Sequence, residues 1–298
     1  MTTLYDGITA AAIREKALSQ RVATLKAPPQ IAAILFSEDA GSRLYTRKKQ
    51  EAAGRTGIKY QIHEFSILTP VAKLLETIAQ LNADSAVTGI IIQKPWRQIW
   101  QSALNKVHSD SFHSNIDQQS YSTWWHSLTD SIAIEKDVDG LHPSLVPAIQ
   151  QGTWLRDRRV LPATCRAVLH ILESADATAA ELHRCIIGRS DLLGYPLQAY
   201  FLAKGLNSEL LGKKDLAARL ESDQLLLDAD VVISATGVKH LITGGILKQG
   251  VVVIDVGEPE PDVLLTSVAP VARFITPVPG GVGPMTVVCL LENSVDML

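Results

Sequence analysis

Short apolar runs alternate with stretches of helical periodicity almost throughout this chain, and that rhythm narrows its possible folds more than any other feature. The runs IAAILF, KYQIHEF and VTGIIIQ occupy the first half; HRCIIG, NSELL, ADVVIS, GVVVID and RFIT occupy the second. A strand that is apolar along its whole length needs cover on both faces. Helices between such strands supply the cover, which makes the strands parallel. The predicted class is therefore α/β, and 298 residues suit one large or two medium domains.

Between the runs, residues 41–57 read as a helix closing on glycine, and PVAKLLETIAQLN as a helix with proline near its first turn. The start, MTTLYDGITAAAIREKALSQ, reads as an amphipathic helix and not as a secretory leader. After KDVDGLHPSLV comes a second unit of strand, tight turn, helix and glycine stop, then LAARLESDQLLL as a helix and further glycine-ended strands. This is the pattern of a doubly wound, Rossmann-like nucleotide-binding domain. The last helix leaves that unit and, with the first helix, is expected to return to the N-terminal domain. The expected division is residues 1–146 plus 285–298 for an N-terminal parallel-sheet domain completed by the C-terminal helix, and 147–284 for the nucleotide domain. A polar stretch at about 105–130, rich in Ser and His, interrupts the rhythm. It reads as an inserted loop with a short helix, packing Trp124 and Trp125 on the domain surface.

The formal net charge of −3 weighs against nucleic acid as a partner, and no apolar run is long enough to span a membrane. Three cysteines, Cys165, Cys185 and Cys289, lie far apart among apolar residues. They are expected to be buried thiols of a reduced, cytoplasmic protein.

The turn GRSDLLGYP, from Gly188 to Pro196, follows a strand and opens a helix, where a dinucleotide fingerprint belongs. Its spacing departs from G-x-G-x-x-G: Ser190 replaces the second glycine and Gly194 comes one residue late. Main-chain N–H groups at that helix start would face a pyrophosphate; a tight turn without a ligand is the alternative. The next strand ends in LLGKKD, which offers Lys213 and Lys214 before any acid, and Arg189 lies in the turn itself. Positive charge there suits a 2′-phosphate and favours NADP over NAD, although two lysines in a solvated loop would look the same.

Tyr45 and Lys49 stand four residues apart and share a helix face; an exposed amphipathic helix would produce the same spacing. The tyrosine–lysine pair of short-chain dehydrogenases follows the dinucleotide turn, whereas this pair precedes it. Gln93 ends the strand VTGIIIQ, on the side where open α/β sheets bind ligands. Asp137 and Asp139 in KDVDG do not form a calcium loop, because the glycine falls too early; a turn-forming role is open to both.

The pieces YTRKK, GIIIQKP, KDVDGLHP, GRSDLLGYP, SATG, VVIDVG and TPVPGGVGPMT occur in an order that resembles the bifunctional methylenetetrahydrofolate dehydrogenase/cyclohydrolase family over nearly the whole chain. The resemblance implies that Tyr45 stacks on the folate, that Lys49 is the general acid/base, that Gln93 hydrogen-bonds Lys49, and that Asp139 anchors the pterin. Ile92 and Lys94 would adjoin the substrate, and Pro279, Gly280, Gly281, Val282 and Gly283 would form a rigid wall. NADP would lie on Gly188, Arg189, Ser190, Lys213 and Glu258. The resemblance also implies tetrahydrofolate substrates, a homodimer and a place in one-carbon metabolism and purine biosynthesis.

Several residues depart from the family pattern. The glutamine is followed by KPWRQ, PATC stands at Pro162–Cys165 in place of Pro-Cys-Thr-Pro, and LLGKK replaces a Cys-His-Ser segment. Glu258 occupies a usually apolar position, and Glu51 one that often holds lysine. Two alternatives follow: a relative keeping one of the two activities, or a non-catalytic folate- or nucleotide-binding protein with Trp124–Trp125 as its partner surface.

Overall fold

The expected alternation runs the length of the chain. The computed structural model describes residues 2–107 and 118–298. In chain order the elements are β1 (Thr3–Leu4), α1 (Gly7–Ala23), β2 (Gln30–Phe36), α2 (Ala40–Thr56), β3 (Lys59–Phe65), α3 (Val71–Ala83), β4 (Gly89–Ile92), α4 (Arg97–Val107) and α5 (Gln118–Thr129). There follow α6 (Leu145–Gln150), α7 (Ala163–Ser174), β5 (Arg184–Ile187), α8 (Gly194–Ala203), β6 (Ser208–Leu211), α9 (Lys213–Glu221), β7 (Val231–Ser234), β8 (Val251–Asp255), α10 (Leu265–Val268), β9 (Ala272–Ile275) and α11 (Val282–Asp296). They form two compact units. One holds Met1–Arg14, Ser144–Asp157 and Leu161–Leu290; the other holds Glu15–Pro143, Arg158–Val160 and Leu291–Leu298.

The unit containing residues 15–143 is built on a three-stranded parallel sheet in the order β3-β2-β4. Central β2 is buried from Ile31 to Phe36, as its unbroken apolar run requires. Helix α2 starts where the Asp39 carboxylate accepts the Ser42 N–H at 3.0 Å and stops at Gly57, whose φ of 82° suits a left-handed cap. Helix α3 buries Leu74, Ile78 and Leu81, the i, i+4, i+7 stripe of an amphipathic helix. Lys136 finishes that helix from a distance: its Nζ donates to the carbonyls of Leu81, Asn82 and Asp84. Each apolar side chain buried in this way contributes about 1.5–3 kcal/mol.

The other unit carries a six-stranded parallel sheet in the order β1-β9-β8-β7-β5-β6. From β5 the chain passes to β6 on one side, then crosses to β7 on the other, so the strand order reverses between β5 and β7. Its core includes Cys185, Ile187, Val232, Val251, Val253 and Ile275. Arg184, on β5, is fully buried. Its guanidinium donates to the carbonyls of Leu182, Ala177 and Ala179 and lies 5.4 Å from the centre of the Phe201 ring. All three cysteines are buried thiols.

Three expectations need correction. The first residues are a strand, not helix: Thr3 and Leu4 pair with Phe274 and Ile275, and α1 begins only at Gly7, after Asp6 accepts the Thr9 N–H. The helix expected to run to Leu227 ends at Glu221 but starts earlier, which places Lys213 and Lys214 in the first turn of α9 and not in a loop. The described part of the polar stretch is not a loop with surface tryptophans. It is the end of α4 and all of α5, and residues 108–117 lie outside the described residues. Trp125 is 1% exposed, and Trp124 packs on Phe36 and Trp100 with ring centres 5.2 and 5.9 Å away. Ser120, Ser122, His126 and Ser127 lie on the exposed to half-buried side of a helix whose inner face is aromatic, so composition hides the periodicity. With both rings buried, the pair offers no partner surface.

Candidate active site

Helix α2 and the exit of β4 build the first part of the site within one unit. Tyr45 and Lys49 do share a face of α2. Lys49 is not on an exposed helix surface, however, but 4% exposed. Burying an ammonium group is costly unless it is hydrogen-bonded. Lys49 Nζ donates to Gln93 Oε1 at 3.0 Å and lies 5.1 Å from the centre of the Tyr45 ring, close enough for a cation–π contact. Gln93 is placed by the sheet: its N–H donates to the Ile34 carbonyl at 2.8 Å, continuing the β4 ladder one residue beyond buried Ile92.

The loop after Gln93 is fastened on two sides. Asp39, the buried N-cap of α2, accepts the Trp96 N–H at 2.9 Å, and the Tyr121 hydroxyl of α5 donates to the Pro95 carbonyl. Lys94 is half-buried, with its Nζ 4.8 Å from the centre of the Trp125 ring. Asp39 is not among the residues that the sequence patterns single out. The signal available is an acid shortly before an apolar-periodic stretch, the ordinary mark of an N-cap.

The two acids of KDVDG have separate roles. Asp137 is buried. Its carboxylate accepts the N–H groups of Leu141 and His142 at 2.9 and 2.8 Å, and burial pushes its pKa up to about 6 against those bonds. Of the roles open to it, this is the turn-forming one. Val138 packs so closely on Gly89 that a Cβ there would lie 2.6 Å from Val138 Cγ1, and Gly140 turns the chain with φ of 63°. Lys136, Asp137, Val138 and Gly140 thus hold the turn that presents half-buried Asp139.

The nucleotide turn lies in the other unit, at the β5 exit beside the strand reversal, where open α/β sheets bind ligands. Gly188 has φ of 124°, and a Cβ on it would lie 2.3 Å from the Ala235 carbonyl oxygen at the β7 exit. A Cβ on Gly194 would lie 2.0 Å from the Gly188 carbonyl oxygen. These two contacts account for the late glycine: the turn is one residue longer, yet still closes on itself. Ser190 Oγ accepts the Leu193 N–H at 3.2 Å, inside the turn.

The first acid after β6 is Asp215. Its Oδ2 accepts the Gly212 N–H at 2.6 Å and pairs with Arg189 at 3.0 Å. Lys213 and Lys214 are exposed at the start of α9, and Glu258 is exposed beyond β8. A close backbone turn beside cations, with the nearest acid already paired, fits a dinucleotide bearing an additional phosphate.

Of the remaining candidates, Pro279, Gly280 and Gly281 form a turn, while Val282 and Gly283 already belong to the first turn of α11. This turn packs against the start of α1: a Cβ on Gly7 would lie 1.9 Å from the Gly281 carbonyl oxygen. The candidates therefore divide between the units, with Tyr45, Lys49, Ile92, Gln93, Lys94 and Asp139 in one and the nucleotide and 279–283 turns in the other. Sequence patterns also pass over the two buried acids Asp255 and Asp262. Asp255 does carry a signal, as an acid ending the wholly apolar strand VVVID two residues before a glycine, whereas Asp262 lies in the following loop with no such mark.

Comparison with known proteins bears on both units. The model of the tetrahydrofolate dehydrogenase/cyclohydrolase catalytic domain matches residues 5–110, and that of the NAD(P)-binding domain of the same name matches residues 162–298. The chain belongs to the tetrahydrofolate dehydrogenase/cyclohydrolase family. It is 34% identical to the bifunctional protein FolD of Moorella thermoacetica, over 98% of this chain and 97% of that one. The crystal structure of the bifunctional enzyme FolD from Campylobacter jejuni superposes with a TM-score of 0.82 at 30% identity, covering 100% of this chain and 98% of that one. A methylenetetrahydrofolate dehydrogenase-cyclohydrolase from Trypanosoma brucei, complexed with NADP cofactor and an inhibitor, superposes with a TM-score of 0.82 at 26% identity, covering 99% and 97%.

Proposed function

We propose that this member of the family oxidises 5,10-methylenetetrahydrofolate to the 5,10-methenyl compound with NADP, and hydrolyses that product to 10-formyltetrahydrofolate. The observation that carries the reading is the buried Lys49 ammonium, hydrogen-bonded to Gln93 on the face it shares with Tyr45. A lysine held in this way is a positioned proton carrier.

NADP, when bound, accepts the hydride that leaves the methylene carbon. Gly188, Arg189 and Ser190 hold it, with the cation of Lys213 for its additional phosphate and Glu258 beside it. For the chain's own residues the oxidation is a matter of orientation. Tyr45 offers its ring to the folate, and Asp139 accepts hydrogen bonds from the pterin's amino and ring N–H groups. Ile92 and Lys94 adjoin the substrate, and the 279–283 turn serves as its rigid wall. In the hydrolysis, water adds to the cationic methenyl carbon and loses a proton. The bond from that carbon to N5 then breaks as N5 takes a proton and the added hydroxyl gives up its remaining one, leaving a neutral formyl group on N10. Lys49 Nζ relays the proton, and Gln93 fixes the position of that atom. Such assistance is typically worth ~10²–10⁴-fold.

In this reading the folate domain is residues 1–146 with 285–298 and the NADP domain 147–284; the compact units draw the line differently, grouping residues 1–14 and 285–290 with the nucleotide turn. The enzyme works as a homodimer in the cytoplasm, and its formyl product serves one-carbon transfer, purine biosynthesis included. No described helix is long and apolar enough to cross a membrane.

A paired spectrophotometric assay tests the activity. Purified protein receives methylenetetrahydrofolate with NADP or with NAD, and separately methenyltetrahydrofolate alone. The expected result is faster reduction of NADP than of NAD, together with accelerated loss of the methenyl absorbance. A folded, NADP-binding protein inactive in both arms would overturn the reading.

A further inference from the structure

Two fully or almost fully buried carboxylates occupy the β7 and β8 exits, and the chemistry above uses neither. Asp262 is 0% exposed. Its Oδ2 accepts the Ser234 hydroxyl at 2.7 Å, the Thr236 N–H at 2.6 Å and the Thr236 hydroxyl at 2.8 Å; its Oδ1 accepts the Val238 N–H at 3.1 Å. Asp255 interlocks with it. Asp255 Oδ1 accepts the N–H groups of Gly257 and Asp262, and Oδ2 accepts that of Val263. The segment after β8 is thereby tied to the turn after β7 by a carboxylate with four donors. Four donors on one buried side chain are far more than closing an ordinary surface turn requires, because a buried charge is tolerated only when it is this fully satisfied.

One peptide group connects this clamp to the nucleotide turn. The Thr236 N–H that Asp262 accepts and the Ala235 carbonyl belong to the same planar unit. That carbonyl oxygen lies where a Cβ on Gly188 would be, at 2.3 Å. Fixing the N–H end of the plane fixes the carbonyl end, and the carbonyl sets how closely the β5 exit approaches the β7 exit at the strand reversal. Resting on the proposed function for the nature of the ligand, we infer that Asp262 is a positioning residue for NADP: it orients the Ala235–Thr236 peptide and so sets the spacing of the two strand exits on which the dinucleotide lies.

The variant Asp262→Asn tests the inference. The amide keeps one acceptor oxygen but turns an NH₂ toward N–H donors, so the peptide loses its constraint at nearly constant volume. The expected result is a rise of about tenfold in the KM and Kd for NADP, as loss of a charged acceptor implies, with dehydrogenase kcat within about threefold of wild type. Hydrolysis of methenyltetrahydrofolate, which needs no hydride acceptor, reports whether the variant is folded. A lowered Tm with an unchanged Kd for NADP would mean that the clamp is merely structural and would overturn the inference. Should Asp262→Asn not fold, Thr236→Val removes one donor while keeping the N–H. It is expected to raise the Kd for NADP by about threefold, with Thr236→Ser restoring it, on the scale of one net hydrogen bond; unchanged affinity in Thr236→Val overturns the inference equally. If the wild type itself binds no NADP, both the proposed function and this inference fall, whereas normal wild-type binding with insensitive variants sinks the inference alone.

Discussion

The site on α2 and the site at the β5 exit are made in opposite ways. At the first, the proposed function is carried by side chains: a buried lysine, a glutamine at 3.0 Å and an aromatic ring. At the second it would be carried by the main chain, shaped by the side chains that Gly188 and Gly194 lack. A side-chain site tolerates movement of its neighbours but not loss of its reactive atom. A main-chain site has no reactive atom to lose, and is damaged when an atom is added.

The largest test of that contrast is subtraction at the first site. Lys49→Ala is expected to lower cyclohydrolase kcat by ~10²–10⁴-fold while the Kd for NADP stays at the wild-type value, and a retained hydrolase rate would remove Lys49 from the chemistry. Addition at the second site comes next. Gly188→Ala forces a Cβ into a position 2.3 Å from a carbonyl oxygen at φ of 124°. Strain of ~1–3 kcal/mol predicts about 5- to 150-fold weaker NADP binding by calorimetry, and wild-type affinity would show that the β5 turn does not contact the dinucleotide.

A smaller effect separates structural acids from functional ones. Burial raises the pKa of Asp137 and of Asp255 to about 6 in the folded chain, from the ordinary aspartate value of 3.8. The folded state therefore binds those protons more tightly than the unfolded state. Each group's contribution is fully present below pH ~4 and is lost as pH rises through ~6, with a slope of at most ~1.4 kcal/mol per pH unit. Urea unfolding at pH 4.5 and pH 7 should accordingly show a destabilisation by Asp137→Asn or Asp255→Asn that differs between the two values. Equal effects at both would mean that the acid does not titrate in this window. The smallest expected effect is on stability in Arg189→Ala. Its partner Asp215 is partly exposed, and exposed pairs contribute ~0–1 kcal/mol. Tm should barely move, while NADP binding weakens and becomes less sensitive to salt.

The contrast also explains what can be read from the sequence. Apolar strands and glycine stops are local patterns, so the two parallel sheets and the dinucleotide turn are legible in the order of residues alone. Tyr45 and Lys49 can be paired by spacing, but the burial of Lys49 cannot be read, because it depends on Gln93, which lies at the end of a distant strand. A short helix can be read at α5, but its buried face escapes notice because Ser, Gln and His dominate its composition, although Trp124, Trp125 and Leu128 mark that face. Asp137 is open to reading as a turn former; Asp262 is not, since its four donors lie more than twenty residues earlier in the chain. Within KDVDG the sequence offers two equal acids, and only the three-dimensional partners of Asp137 distinguish them.

The contact between Gly7 and Gly281 has a consequence for anyone who engineers this protein. A methyl group at residue 7 would occupy the space of the Gly281 carbonyl oxygen, 1.9 Å away. The two positions, almost at opposite ends of the chain, are therefore one design variable. A library that randomises the 279–283 turn explores only those backbone paths that still pass over a bare glycine at position 7. Chimeras joining the N-terminal strand and first helix of one relative to the remainder of another inherit the same restriction at a seam far from any point of splicing.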